Sequence, residues 1–158
     1  MLKKYLIVFL ISMVPLIELR GAIPYAVGFS LPIVPSVIIA VIGNMLPVPF
    51  IYLFGRKILE WGADKPVVGR FFRWCLVKGE RAGRKLEATA GNGLYVALLL
   101  FVGIPLPGTG AWSGTLAASL LDMDFKKSVI FVLLGVLLAG AIMLAASFGV
   151  FGAISLIN

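Results

Sequence analysis

Two apolar stretches of this chain break at clusters of proline and glycine before they reach the length of a membrane crossing. The first stretch, 5–16, runs into a break that contains Pro15, Glu18, Arg20, Gly21 and Pro24. The second, 92–104, stops at Pro105-Leu106-Pro107-Gly108-Thr109-Gly110. A crossing needs about 20 apolar residues, and proline inside a helix removes a backbone hydrogen bond. Each stretch is therefore predicted to be a half-length helix that turns back at its break.

A second short apolar segment follows each break, Ala22–Leu31 in the first half and Ala111–Leu121 in the second. Two half-length helices around a broken tip make a re-entrant hairpin, whose irregular backbone is tolerated at membrane depth when protein surrounds it. The sequence therefore predicts two re-entrant hairpins, one in each half of the chain.

Each predicted hairpin is followed by an apolar run long enough to cross the bilayer. These runs are 36–54, in which a kink is predicted at Gly43, Asn44, Pro47 and Pro49, and 128–148. The sequence from Pro35 to Gly43 resembles the sequence from Lys127 to Gly135 at a constant offset of 92 residues. Because each half crosses once, the second copy must be inverted relative to the first. Inverted repeats with broken helices at matching positions are typical of membrane transporters.

The composition indicates that a bilayer is the solvent of this chain. Its 158 residues are 61% hydrophobic and 13% charged, whereas soluble domains are about 45–50% apolar and about 25% charged. We therefore predict an all-α integral membrane protein with one membrane domain, 1–158. It comprises a first inverted repeat (about 1–55), a basic amphipathic connector (about 56–91) and a second repeat (about 92–158). The start of the chain resembles a signal peptide, but Glu18 and Arg20 replace the expected cleavage site, so we expect mature protein.

The connector concentrates the positive charge, with nine of the fourteen lysine and arginine residues. Arginines and aromatic residues alternate at Gly69-Arg70-Phe71-Phe72-Arg73-Trp74, a pattern typical of helices in the headgroup layer. Anionic lipid headgroups, and not nucleic acid, are the expected partner. The residues predicted to contact them are Arg70, Arg73, Lys78, Arg81, Arg84 and Lys85.

The charge distribution also predicts an orientation for this multi-pass protein in the cell membrane. The positive-inside rule puts the connector in the cytoplasm, which leaves both termini external. Lys126 and Lys127 agree with this arrangement, whereas Lys3 and Lys4 do not. Small residues in the second crossing could pack a homodimer interface or could pack a hairpin within one chain.

Glu18 and Arg20 are the ionisable residues within the predicted hairpins. Burying them is costly unless they pair or face water, so they are the first candidates for substrate binding or coupling. Gly21 and Pro24 complete this candidate set at the first tip. The alternative is that Glu18 and Arg20 form a salt bridge, or lie at the membrane surface, and only hold the tip together.

The second tip offers backbone amides and a helix dipole that point into the membrane, which together predict an anion site. Thr109 is expected to cap a helix that begins at Gly110. Glycine and proline could equally serve only to pack irregular backbone, and Trp112 could be an ordinary packing aromatic. The candidate residues here are Pro105, Pro107, Gly108, Thr109, Gly110 and Trp112.

The residue inventory argues against an enzyme. The chain has no histidine, and its single cysteine, Cys75, excludes an internal disulfide. No nucleophile stands beside a base, and no phosphate-binding glycine motif occurs. We therefore expect no catalysis of covalent chemistry, no cofactor and no metal.

The runs Pro15-Leu16-Ile17-Glu18-Leu19-Arg20-Gly21-Ala22-Ile23-Pro24 and Gly103-Ile104-Pro105-Leu106-Pro107-Gly108-Thr109-Gly110-Ala111-Trp112 resemble the small multidrug export protein family, over nearly the whole chain. That family is distantly similar to the DedA superfamily, which has paired re-entrant loops and includes proposed translocators of polyprenyl phosphate or other lipids. The resemblance implies membrane transport. DedA proteins carry further acidic and arginine residues in their tips, whereas the second tip here has no charge.

The leading hypothesis is a small transporter that translocates an anionic lipid or amphiphile, such as a polyprenyl phosphate, through a site formed by the two hairpins. Glu18 would be its proton-coupling acid. One alternative is efflux of cationic drugs with Glu18 as counter-charge, which the neighbouring Arg20 disfavours. Another is a structural or assembly protein of the membrane that transports nothing.

Overall fold

The computed structural model describes residues 2–66, 69–70, 73–74, 76–77 and 93–157. It is helical, and the described residues contain no strand, which confirms the all-α prediction. The helices in chain order are α1 (Leu2–Met13), α2 (Glu18–Gly28), α3 (Ile33–Met45), α4 (Val48–Ala63), α5 (Gly93–Gly103), α6 (Ala111–Leu120) and α7 (Phe125–Ile157).

Two segments of the described chain are long and apolar enough to cross a membrane, Ile33–Ala63 and Phe125–Val150. In the most apolar 18-residue stretch of each segment, only 22% and 28%, respectively, is buried inside the protein. Helices that are apolar on all sides and mostly unburied need lipid around them. The two segments therefore support a membrane protein.

The first of these segments consists of α3 and α4, which are separated at Leu46 and Pro47. The predicted kink region therefore contains an interruption of the helix, at Leu46 and Pro47. The segment nevertheless continues beyond the predicted end at Phe54, because both prolines lie where a helix tolerates them. Pro47 is the N-cap of α4 and Pro49 lies in its first turn, where the missing N–H has no intrahelical partner to lose.

The first break is much shorter than predicted. Helix α2 begins at Glu18, so Glu18, Arg20, Gly21 and Pro24 lie inside a helix, and only residues 14–17 separate it from α1. The helix expected over Ala22–Leu31 instead runs from Glu18 to Gly28, so both predicted ends were wrong. A helix can contain Pro24 at the loss of one backbone hydrogen bond, and the two charges find partners outside α2, as described below. The predicted bounds of α5 and α6 agree with the structure to within one residue.

The helices pack in two similar sets. In the first half α1 packs on α2 and α3, and in the second half α5 packs on α6 and α7. The halves then meet through α2 on α7 and α6 on α4. Gly43 of α3 lies against α1, where a Cβ would come 2.8 Å from the Phe9 carbonyl oxygen; Gly135 of α7 lies against α5, where a Cβ would come 2.8 Å from the Leu99 carbonyl oxygen.

Backbone turns in the two halves also recur at the offset of 92 residues. All residues with positive φ in the described chain fall into three pairs at that spacing. They are Leu16 (72°) with Gly108 (79°), Glu18 (51°) with Gly110 (137°), and Ser30 (53°) with Asp122 (48°). The same turn ends α2 and α6, where the amide of Leu31 donates to Ala26 O (2.9 Å) and the amide of Met123 donates to Ala118 O (3.1 Å).

Candidate functional site

Glu18 is the first residue of α2, and it is 3% exposed. Its carboxylate accepts hydrogen bonds from the first two amides of α6: Ala111 N lies 3.1 Å from Oε2 and Trp112 N lies 3.0 Å from Oε1. The α6 N-cap is Gly110, which has no side chain to satisfy these amides. A carboxylate complements both the unpaired N–H groups and the positive end of the helix dipole. The first hairpin therefore caps a helix of the second.

Gly110 makes this contact possible in two ways. Its φ of +137° is a conformation that side chains rarely adopt, and a Cβ would lie 2.4 Å from Glu18 Oε2. At Gly108, where φ is +79°, a Cβ would meet nothing within 4 Å. The requirement for glycine is thus conformational at position 108, and both conformational and steric at position 110.

Thr109 does not cap α6, so that prediction was wrong. The helix begins one residue later than expected, and its N-cap receives no side-chain hydrogen bond from its own segment. The Thr109 hydroxyl instead lies within the tip, 3.0 Å from Ile104 O and 2.8 Å from Leu106 O. It also accepts a hydrogen bond from Arg20 Nη2 at 2.8 Å.

Arg20 binds the other end of the second tip. Its guanidinium donates to the carbonyl oxygens of Leu106 (2.6 Å), Ile104 (3.2 Å) and Val102 (3.3 Å). These carbonyls lie at and just beyond the C-terminal end of α5, where the last carbonyls lack intrahelical partners and the helix dipole is negative. A planar group with five N–H donors can serve several such acceptors at once.

Glu18 and Arg20 do not pair with each other. The ion pairs found among the described residues join Arg56 to Glu60 (3.0 Å) and Arg56 to Asp122 (2.7 Å). The alternative of a mutual salt bridge at the first tip is therefore wrong. Because α2 continues through both residues, each charge reaches across to the second hairpin, Glu18 to the start of α6 and Arg20 to the end of α5.

The remaining candidates divide between the tips. Gly21 faces its own hairpin, where a Cβ would lie 2.4 Å from the Ile17 Cγ2 atom, and Pro24 lies one turn further along α2. Pro105 and Pro107 belong to the second tip, which Arg20 binds. Trp112 contributes its amide to Glu18, while its indole Nε1 is buried without a hydrogen-bond partner.

Two of the predicted headgroup contacts, Arg70 and Arg73, are exposed. The others, Lys78, Arg81, Arg84 and Lys85, lie outside the described residues. At the start of the connector Lys65 Nζ lies 4.4 Å from the ring centre of Trp61, whose side chain is largely exposed. An amphipathic pair of this kind suits a membrane interface.

Sequence reasoning missed the partners of both charges. Arg20 binds backbone carbonyls and Glu18 binds backbone amides, and every residue except proline carries both groups. It also missed the polar contact between α4 and α6, where Ser119 Oγ donates to Tyr52 O at 2.7 Å. Close to it, Arg56 binds Asp122 in the turn that follows α6. A residue pattern cannot identify which turn of another helix will lie opposite.

Comparison with known protein families finds a match. A protein-family model described as "Putative small multi-drug export protein" matches residues 18–142, a range that includes both charges and the whole second tip. No curated protein and no solved structure matches the chain. The family match covers well over half of the 158 residues. This protein therefore belongs to the small multi-drug export family and carries two segments able to cross a membrane.

Proposed function

We propose that this protein is a proton-coupled membrane transporter that moves an anionic amphiphile, such as a polyprenyl phosphate, through the region where Glu18 and Arg20 meet the second tip. The single observation that carries the proposal is the binding of a carboxylate by the first two amides of α6. A helix end that holds one anion can hold another of similar geometry, and phosphate is a common ligand there.

The local charge favours an anionic ligand over a cationic one. The amides at the start of α6 and the guanidinium of Arg20 are both positive, and Glu18 is the one acidic side chain that the described residues bring to this tip. No described acidic side chain lies within 4.0 Å of the Arg20 guanidinium. A cation would have to displace Arg20, whereas an anion needs only to replace Glu18.

Protonation of Glu18 provides the coupling. A neutral carboxyl is a weaker acceptor than a carboxylate, so a proton loosens its hold on the Ala111 and Trp112 amides. The freed amides then accept the anionic headgroup, and its departure lets Glu18 ionise and return. Substrate and carboxylate thus alternate at one helix end, which links transport to a proton.

The transport cycle rests on an inverted repeat with two re-entrant hairpins. Three observations support that arrangement: the paired backbone turns at an offset of 92, the matching close contacts of Gly43 and Gly135, and the reciprocal packing of α2 on α7 and α6 on α4. In repeats of this kind a site between broken helices can open alternately to either side of the membrane.

The test is leaflet exchange of a fluorescent polyprenyl phosphate or phospholipid in proteoliposomes. We compare the parent with Glu18→Gln and Arg20→Ala, and we use Glu60→Gln as the matched control, because Glu60 is exposed and pairs only with Arg56 among the described residues. Thermal unfolding in detergent checks that each variant folds. The proposal expects exchange in the parent and in Glu60→Gln, with loss in the two site variants.

The same preparations test the drug-export alternative, which the family description favours. Ethidium movement in proteoliposomes with a proton gradient is the readout. If the parent moves ethidium but no lipid, and Glu18→Gln abolishes that movement, cation efflux replaces our proposal. If folded parent protein moves neither, a structural role is favoured.

A further inference from the structure

Two of the most deeply buried polar side chains in the described chain hold an atom without a hydrogen-bond partner. Thr115 is 1% exposed and Asn44 is 2% exposed. Neither Thr115 Oγ1 nor Asn44 Oδ1 has a partner within the protein. Buried polar atoms are nearly always paired, so such an exception calls for an explanation.

Both side chains face the core beside the site. Thr115 lies one turn after Ala111 on α6, and the two residues share its fully buried face. The Ala111 amide is one of those that bind Glu18. Asn44 lies on the buried stripe of the first crossing segment, one turn after Ala40 and one turn before Val48.

The internal repeat indicates that Asn44 and Thr115 lie in the same interface. At the offset of 92 residues Thr115 corresponds to Ile23, and Asn44 corresponds to Val136. Ile23 packs on α7 close to Gly140, where a Cβ would lie 3.8 Å from Ile23 Cδ1. The same offset assigns Thr115 to the start of α4 at Val48, one turn from Asn44. The hydrogen bond from Ser119 Oγ to Tyr52 O, one turn further along both helices, agrees with this register. This is the packing of α6 on α4.

The comparison between the halves also separates packing from function. Ile23 and Val136 are each 1% exposed and fill their interface with apolar groups. The same fold therefore accepts apolar side chains at both positions. Unpaired polar atoms in a dry core are costly, so packing alone does not account for a polar side chain at these two positions.

We infer that Asn44 and Thr115 are binding residues for the oxygen-rich headgroup of the transported amphiphile. This inference rests on the proposed function and extends its site by one turn along α6. When the headgroup replaces Glu18 at the Ala111 amide, the Thr115 hydroxyl donates to a headgroup oxygen. Asn44 Oδ1 accepts from a headgroup hydroxyl. Both atoms then gain the partners that they lack in this structure.

The experiment measures binding separately from transport. Parent protein in detergent is titrated with a polyprenyl phosphate, and the rise in unfolding temperature reports the affinity. The variants are Thr115→Val and Asn44→Leu, which keep the number and branching of the side-chain heavy atoms. The control is Ser147→Ala, since Ser147 Oγ is also buried and unpartnered but lies near the far end of α7.

We expect each site variant to bind the lipid about fivefold to tenfold more weakly, the loss of one hydrogen bond. Their unfolding temperature without lipid should equal or exceed that of the parent, because an unpaired polar atom has been removed. Ser147→Ala should bind like the parent. Binding of parent strength by both site variants overturns the inference, as does the absence of any lipid effect on the parent. If the site variants lose lipid binding but the parent shows no leaflet exchange, the inference about binding is supported and the proposed transport is refuted.

Discussion

At the scale of single residues, the charges of Glu18 and Arg20 act at two different helix ends on either side of the second tip. Glu18 binds the amides that begin α6, and Arg20 binds carbonyls at the end of α5. A backbone N–H or C=O group without a hydrogen-bond partner in the hydrocarbon of a membrane costs on the order of several kcal/mol. Burial of Glu18 and Arg20 is costly when judged from the sequence alone. In the structure these side chains stabilise the second tip, because they bind backbone amides and carbonyls that would otherwise lack hydrogen-bond partners.

The two glycines of the second tip should differ sharply in their tolerance of alanine. Gly108→Ala is expected to lower the free energy of unfolding by about 1 kcal/mol, the cost of a left-handed alanine. Gly110→Ala should cost more than about 2 kcal/mol, because its methyl group also displaces Glu18 from the α6 amides. Denaturant unfolding in detergent measures both, and equal losses would contradict the contact between Gly110 and Glu18.

Lysine should not replace Arg20. The guanidinium reaches three carbonyls and the Thr109 hydroxyl, whereas an ammonium group offers a single point of attachment with a different geometry. Arg20→Lys is therefore expected to lower stability by about 1.5–3 kcal/mol, the value of hydrogen bonds to a charged group. Thermal unfolding in detergent is the measurement, with Arg56→Lys as control, because Arg56 is half-buried and binds the carboxylates of Glu60 and Asp122 and no backbone carbonyl that the structure records. A loss no greater than that of the control would show that the carbonyl contacts contribute little.

At the scale of elements, close helix packing depends on glycine at equivalent places. Gly43 holds α3 against α1, and Gly135 holds α7 against α5. In a membrane, where lipid removes the hydrophobic drive for helix association, small residues let backbones approach and gain dispersion energy. The two contacts therefore hold the first helix of each half against the long apolar segment of the same half.

Alanine at either contact should force the helices apart. Gly43→Ala and Gly135→Ala are each expected to destabilise by about 1–3 kcal/mol, the range for overpacking. Gly149 of α7 meets nothing within 4 Å, so Gly149→Ala should be neutral or stabilise by up to about 1 kcal/mol through helix propensity. Unfolding in detergent compares the three variants. A neutral Gly135→Ala would mean that α5 and α7 lie further apart.

At the scale of the whole molecule, the inverted arrangement that we propose for the two halves makes a topological prediction. The turns at Ser30 and Asp122 are equivalent in the two halves, and inversion puts them on opposite sides of the membrane. In a Cys75→Ser background, a membrane-impermeant maleimide should label Ser30→Cys from outside the cell and Asp122→Cys only from the cytoplasm. Labelling of both from one side would contradict inversion, and exchange of the two sides would reverse the predicted orientation.

The sequence by itself determined the membrane setting, the helical class, the Pro/Gly-broken second tip and the bounds of α5 and α6. These follow from apolar run length and from proline and glycine, which act locally. The sequence also singled out Glu18 and Arg20, since charge within apolar segments is costly wherever it lies.

Only the tertiary structure decided what these residues contact. The start of α2 at Glu18, the cap of α6 by a side chain some 90 residues away and the unpaired atoms of Asn44 and Thr115 all depend on one helix meeting another. A backbone amide or carbonyl has no residue-specific signature, so no pattern identifies it as a partner. Packing between hairpins, unlike helix formation within them, is determined by the whole fold.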